Sequence, residues 1–155
     1  MATFRPATES DLAAIYELWY RSKASWGYDE AFMQRVGSSV AFDKNYIENW
    51  PVYVCEVNGK LAGFYGFREI QSEIFLDDMF LEPEYIGKGL GRSLWDHALQ
   101  TARECGYQQF LIESDPNAEQ FYLKMGAKRI GDIESPSSGR TLPLMRYELW
   151  DEAAL

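Results

Sequence analysis

The segment that most constrains this chain is Gly87-Lys88-Gly89-Leu90-Gly91-Arg92. It lies between a β-rich run ending at Leu81 and a stretch in which Leu94, Trp95, Ala98, Leu99, Ala102 and Cys105 recur at helical spacing, closed by Gly106. Strand, glycine loop and helix N-terminus in that order call for an α/β fold. They also make an anion site, because the first amides of a helix lack acceptors and carry partial positive charge. Two nucleotide motifs fit poorly. A dinucleotide fingerprint would need glycine where Arg92 stands and an acidic residue at the end of the next strand, a distance that Glu113 meets only loosely. A Walker loop would need Ser or Thr after Gly87-Lys88, where Gly89 follows instead.

The flanking sequence supplies the other elements. Thr8-Glu9-Ser10-Asp11 has capping-box spacing, with Asp in place of Glu, and Leu12, Ile15, Tyr16 and Trp19 continue as an amphipathic helix. A second helix is expected over Asp29 to Val36, with Phe32, Met33 and Val36 on one face. Val52 to Val57 and Leu61 to Phe67 are β-formers around Asn58-Gly59, a favoured two-residue turn, so they predict a hairpin. A strand follows over about Ile74 to Leu81, and Gln109 to Glu113 is a short apolar strand suited to a buried position. A third helix starts at Asp115-Pro116, buries Ala118, Phe121, Tyr122 and Met125, and ends at Gly126. A last strand is expected from Leu142 to Trp150. The predicted order is helix, helix, hairpin, strand, helix, strand, helix, strand, around a mixed sheet.

At 155 residues with no repeat or linker-like stretch, residues 1–155 read as one domain large enough to bury a core. Two cysteines, Cys55 and Cys105, suit a reducing cytoplasm and are expected on buried faces of a strand and a helix. No metal-ligand spacing surrounds them, and the single His97 is expected at the surface of the glycine-loop helix. No apolar run is long enough to span a membrane. The net charge of −9 repels nucleic-acid phosphates and favours a cationic small molecule or basic peptide, although such a charge also serves solubility alone.

Leu81-Glu82-Pro83-Glu84-Tyr85-Ile86-Gly87-Lys88-Gly89-Leu90-Gly91-Arg92 resembles motif A of the GNAT superfamily of acyl-CoA-dependent N-acyltransferases, written Gln/Arg-x-x-Gly-x-Gly/Ala. Asp115-Pro116-Asn117-Ala118-Glu119-Gln120-Phe121-Tyr122-Leu123-Lys124-Met125-Gly126-Ala127 resembles the family's Asn-x-x-Ala-x-x-Phe-Tyr-x-x-x-Gly-Phe. Phe4-Arg5-Pro6-Ala7 and Ala62-Gly63-Phe64 extend the likeness over nearly the whole chain. Ile86, Asp115 and Ala127 stand where the family has Gln/Arg, Asn and Phe.

The resemblance implies an α+β fold: a mostly antiparallel central sheet flanked by helices, with a splayed pair of parallel strands where acetyl-CoA binds. It implies cofactor contacts from Met79, Phe80 and Leu81 on the splayed strand, and from Ile86, Gly87, Lys88, Gly89, Leu90, Gly91 and Arg92 at the pyrophosphate. Asp115, Ala118, Tyr122 and Lys124 would lie along the pantetheine. Ile86 would retain its amide but no side-chain donor. Lys128 and Arg129 continue a basic cluster suited to coenzyme A in an otherwise acidic protein.

The implied reaction is direct transfer of an acetyl group from acetyl-CoA to the primary amine of a small molecule or peptide within a ternary complex, an EC 2.3.1-type N-acyltransferase activity. It needs a neutral amine, donors for the tetrahedral oxyanion and a proton for the departing thiolate. Tyr122 matches the family tyrosine that supplies that proton, and its other reading is a core aromatic. Glu73, Asp77 and Asp78 are candidates for the base. Strand alternation sends Asp77 and Asp78 to opposite faces, so one of that pair at most would face the substrate. The implied acceptor site draws on Trp19, Tyr20, Trp26, Tyr28, Phe32, Asp29 and Glu30 and on the segment from Ser135 to Arg140, a set suited to a cationic or aromatic amine. Two other functions stay open: a non-catalytic acyl-CoA sensor of the same fold and a dinucleotide-binding enzyme. A homodimer is also open.

Overall fold

A computed structural model describes residues 1–135 and 138–149. Seven strands form one sheet in the order β1-β2-β3-β4-β5-β7-β6. In chain order these are β1 (Ala2–Pro6), β2 (Val52–Val57), β3 (Lys60–Ile70), β4 (Glu73–Leu81), β5 (Gln109–Glu113), β6 (Lys128–Glu134) and β7 (Thr141–Glu148). The helices are α1 (Leu12–Ala24), α2 (Glu30–Gly37), α3 (Lys44–Asn49), α4 (Leu90–Glu104) and α5 (Glu119–Lys124). All neighbouring strands run antiparallel except β4 and β5, which are parallel. This is the mixed, mostly antiparallel sheet that the resemblance implied.

Local signals placed most elements. Thr8 N–H donates to Asp11 Oδ2 at 2.7 Å, closing the capping turn before α1. Asp29 caps α2 through the amide of Phe32 at 2.8 Å. Asn58 and Gly59 take φ of 54° and 77°, as the tight β2–β3 turn demands. Gly126 ends α5 with φ 103°.

Three elements are additional to those expected. β1 and β6 raise the strand count above the five predicted, and α3 lies between the second expected helix and the hairpin. β6, Lys128-Arg129-Ile130-Gly131-Asp132-Ile133-Glu134, is solvent-exposed except for part of Ile133, so no alternation marks it. Its place comes from pairing with β7. α3 is six residues, too short for a periodic stripe, and Asp43 starts it by accepting from Tyr46 N–H at 3.0 Å. β7 ends at Glu148, and Trp150 lies outside the described residues.

The sheet separates two apolar layers. On one face α4 and α5 bring Leu94, Trp95, Ala98, Ala102 and Tyr122 against Tyr65, Phe67, Phe110, Ile112 and Met145. On the other, α1, α2 and α3 bring Ile15, Leu18, Trp19, Met33, Val36 and Tyr46 against Val52, Val54 and Phe64. Cys55 is buried as expected, whereas Cys105 is exposed at the C-terminal cap of α4, three residues past Ala102, the last buried position of that helix. His97 also departs from expectation. It is half-buried, stacked on Phe4 with ring centroids 4.3 Å apart, and its Nδ1 lies 2.7 Å from the Tyr65 hydroxyl. Among the described residues, no helix is long and apolar enough to cross a membrane.

Candidate active site

β4 and β5 pair as parallel strands only at Phe75 and Leu111 and separate beyond that point. The β5-facing backbone edge of Met79, Phe80 and Leu81 therefore has no strand beside it. On its other edge β4 pairs with β3 in register, Tyr65 opposite Met79 and Gly63 opposite Leu81. The open edge is where an extended ligand can take strand-like hydrogen bonds.

The glycine loop lies just after this open edge. Gly87 and Gly89 adopt left-handed φ of 81° and 87°, and Gly89 caps α4. The amides of Gly87, Gly89, Leu90, Gly91 and Arg92 have no acceptor among the described residues. Ile86 differs from expectation, because its amide already donates to Pro83 O at 3.2 Å and its side chain is exposed. The turn Pro83–Tyr85 thus consumes the donor that Ile86 was to offer, and the free amides begin at Gly87. Gly91 packs close: a Cβ there would stand 3.1 Å from the Phe121 ring and 3.6 Å from Leu81. Lys88, Arg92 and Lys124 are exposed with no ion pair among the described residues, while Arg129 is held by Glu119 and Asp132.

Beyond the strand split, on the α1 and α2 side, is a cavity of about 380 Å³. Its apolar wall includes Trp19, Val36, Phe42 and Phe80, and it gathers the carboxylates Asp77, Asp78, Glu113 and Asp115 with the cations Lys23, Arg68 and Arg140. Both aspartates of β4 line it, against the expectation of opposite faces. The reason is a β-bulge: Gly66 pairs with Asp78 and Phe67 pairs with Leu76, which leaves Asp77 as an extra, unpaired residue. The extra residue cancels the alternation and turns two successive side chains toward one space.

The aspartates sit in different surroundings. Asp78 is buried and its Oδ2 accepts the Tyr46 hydroxyl at 2.8 Å. Burial first, and then the charge of Asp77, pushes its carboxyl up to about 7. Burial also raises Asp77, and the Arg68 guanidinium, with Nε 3.7 Å from its Oδ2, opposes that rise. Arg68 Nε is buried with no hydrogen-bond partner among the described residues, while its Nη2 donates to Ala41 O at 3.0 Å and its guanidinium lies 4.0 Å from the Tyr46 ring centroid. Gly66 makes this arrangement possible. A Cβ at that position would overlap the Tyr46 hydroxyl, at 1.9 Å. Glu113, across the strand split, is raised by burial and by the charge of Asp77.

Asp115 has a different role from that of a pantetheine contact alone. It accepts from Lys23 Nζ at 3.0 Å, from the Tyr28 hydroxyl at 2.8 Å and from the Asn117 amide at 2.9 Å, and Arg140 Nη2 lies 3.8 Å away. Burial opposes its ionisation, and the Lys23 charge with these hydrogen bonds outweighs burial and keeps its carboxyl below the usual range. Arg140 also donates to the Tyr28 hydroxyl at 2.8 Å and lies over the Tyr28 and Phe32 rings. Asp115 therefore ties the end of α1, the end of β5 and the approach to β7 together around the cavity.

Tyr122 is buried on the opposite side of the strand split, against Trp95 and Phe121, and its hydroxyl has no hydrogen bond among the described residues. Burial raises its hydroxyl pKa, and the charges of Asp78 and Asp115 raise it further, so it stays protonated within electrostatic reach of both.

Glu73 is not brought to the cavity. It is exposed at the first residue of β4, paired with Ile70 at the far end of the hairpin. Of the expected acceptor residues, Trp19, Ser135, Ser138 and Arg140 line the cavity, and Tyr28 and Phe32 hold Arg140. Trp26, Asp29 and Glu30 are exposed and do not line it. Pro136 and Ser137 lie outside the described residues. Sequence reasoning misses Lys23, Tyr46 and Arg68, and it considers Glu113 only against the dinucleotide fingerprint. One signal was available: Gly66 interrupts a run of β-formers, and such a glycine marks a close approach.

The family model for the Acetyltransferase (GNAT) domain matches residues 20–149, most of the chain. The chain belongs to the GNAT acetyltransferase family. Among curated relatives of this GNAT protein, L-amino acid N-acyltransferase MnaT of Escherichia coli strain K12 is 27% identical over 148 residues, covering 88% of this chain and 84% of the relative. Peptidyl-lysine N-acetyltransferase YiaC of the same strain is 32% identical over 97 residues, 62% of this chain and 64% of that one. The PaiA N-acetyltransferase of Thermoplasma acidophilum, solved with coenzyme A, superposes with a TM-score of 0.77 at 19% identity, covering 96% of this chain and 99% of that one. YncA of Salmonella typhimurium, solved with its cofactor acetyl-CoA, gives a TM-score of 0.69 at 24% identity, covering 100% of this chain and 98% of that one. The two structures show a shared fold.

Proposed function

We propose that this GNAT protein transfers an acetyl group from acetyl-CoA directly to the primary amine of a small molecule or peptide, within a ternary complex. The observation that carries the reading is the bulge at Asp77, which aims two carboxylates into one cavity beside the open edge of β4. The free amides of Gly87, Gly89, Leu90, Gly91 and Arg92 suit the pyrophosphate, and the close packing of Gly91 on Phe121 and Leu81 fixes the start of α4 beside the open edge. Lys88, Arg92 and Lys124 are the cations available to its phosphates, and the Met79–Leu81 edge and Ala118 flank the pantetheine.

In this reading Asp78, lifted toward neutrality, takes a proton from the incoming ammonium, with Asp77 sharing the charge. The neutral amine attacks the thioester carbonyl. A C–N bond forms, a backbone amide of the β4 edge stabilises the oxyanion, and the C–S bond then breaks. The departing thiolate takes the Tyr122 hydroxyl proton, the second proton lost from nitrogen restores that hydroxyl through solvent, and the amide product keeps one hydrogen on nitrogen. Juxtaposition supplies much of the rate, up to ~7–11 kcal/mol in well-oriented cases.

The test follows free thiol release from acetyl-CoA over a panel of amines for the parent and for Asp78→Asn. Amine-dependent release that falls by ~10²-fold or more in the variant supports the reading, given the usual contribution of a positioned base. Coenzyme A binding without release on any amine would instead leave a sensor of the same fold.

A further inference from the structure

The charges around the cavity are not evenly mixed. At one end two cations, Lys23 and Arg140, share the single carboxylate of Asp115. At the other are three carboxylates, Asp77, Asp78 and Glu113, with one guanidinium, that of Arg68, 3.7 Å from Asp77 and within electrostatic reach of Asp78. Each end therefore has an excess of one sign, and each excess is held in place. Lys23 is anchored at 3.0 Å on Asp115, and Arg140 is clamped by the Tyr28 hydroxyl and by two aromatic rings. The positive excess is part of the wall, with Lys23 and Arg140 side chains 14% and 30% exposed. The lining also includes the apolar Trp19, Phe42 and Phe80, and the Lys23 charge reaches Asp78, so the two groups lie close enough for the two charges of one α-amino acid.

We propose that the acceptor is a zwitterionic amino acid with an apolar side chain, its ammonium at Asp77 and Asp78 and its carboxylate at Lys23 and Arg140. This rests on the reading of the cavity as the acceptor site. A simple amine would satisfy the acidic end and leave the cationic end facing an apolar ligand, which forfeits charge-assisted hydrogen bonds in a partly desolvated space. A diamine or polyamine would set a second cation against Lys23 and Arg140. The aromatic wall accounts for the side chain, since apolar surface there gains by burial. Tyr28 and Phe32 act as positioning residues, because they hold the Arg140 fork in one orientation.

The experiment is calorimetric binding to the complex of the full chain with coenzyme A. It uses matched pairs: L-phenylalanine with phenethylamine, L-leucine with 3-methylbutylamine, and L-methionine with 3-(methylthio)propylamine. At least one amino acid is expected to bind ~10–100-fold more tightly than its decarboxylated partner, the range of a charge-assisted hydrogen bond or two. Arg140→Gln, with Lys23→Gln as a second variant, should reduce that preference toward unity while amine binding persists, and circular dichroism checks that each variant is folded. Amines binding as tightly as their amino acids in all three pairs would overturn the proposal. So would no binding by any amino acid, or a preference that survives both variants. Binding with the expected preference but without thiol release on any acceptor would instead overturn the acetyl-transfer reading and leave this assignment standing.

Discussion

Replacing Tyr46 by Phe removes one hydroxyl and tests whether Asp78 is the group that titrates during turnover. The hydroxyl donates to Asp78 Oδ2 at 2.8 Å and stabilises the ionised carboxylate against its burial and against the charge of Asp77. A hydrogen bond to a charged group contributes ~1.5–3 kcal/mol, and each pKa unit corresponds to ~1.4 kcal/mol, so its loss should raise the apparent pKa by ~1–2 units. The ring survives, so its contact with the Arg68 guanidinium at 4.0 Å and its place in the core should persist. The assay is kcat/KM against pH. Activity should rise with pH as the base ionises, with the parent inflection near 7, the value to which Asp78 is pushed. In Tyr46→Phe that inflection should move alkaline, so the variant is impaired near neutrality and recovers at higher pH. Because Asp77 and Asp78 interact, the inflection belongs to the pair. An inflection shifted by less than about 0.3 units, with a uniform loss across pH, would refute the reasoning, because a 1.5–3 kcal/mol interaction cannot vanish without moving it.

The same burial makes Asp78 costly to the fold, so Asp78→Asn should stabilise the protein at alkaline pH. A carboxyl raised from 3.8 to about 7 favours folding fully below 3.8, and that contribution is lost as pH rises through about 7. Thermal melts should show the variant ahead by about 1–4 kcal/mol above neutrality and near parity around pH 4, and equal offsets at both would count against it. Gly89→Val forces a β-branched residue to φ 87°, so coenzyme A affinity should collapse in calorimetry while circular dichroism stays native, and unchanged affinity would remove the loop from the site. Gly66→Ala drives a Cβ to 1.9 Å from the Tyr46 hydroxyl and should cost about 1–3 kcal/mol in denaturant melts and displace the same pH inflection, whereas a neutral melt would contradict the packing. Tyr122→Phe should lower turnover by ~10²–10⁴-fold, the range of a positioned acid, with coenzyme A affinity little changed, and turnover within about threefold of the parent would leave Tyr122 a core aromatic.

Short-range chemistry is directly legible in the order of the residues. The glycine loop, the caps at Thr8 and Asp29, the Asn58-Gly59 turn and the α4 stripe from Leu94 to Ala102 depend on residues a few positions apart, and each is found where local rules put it. The two motifs also fixed the order of elements around the loop, and so the family. Tertiary structure decided the composition of the site. The bulge that turns Asp77 and Asp78 to one side is a property of pairing with β3, and no local pattern in Leu76-Asp77-Asp78-Met79 announces it. Tyr46 reaches Asp78 from 32 residues away, and Lys23 reaches Asp115 from 92. The exposed strand β6 exists because β7 offers it an edge. Hydrogen bonds and ion pairs across such separations form only once packing has closed the loops between them, so periodicity, which reads neighbours, could not see them.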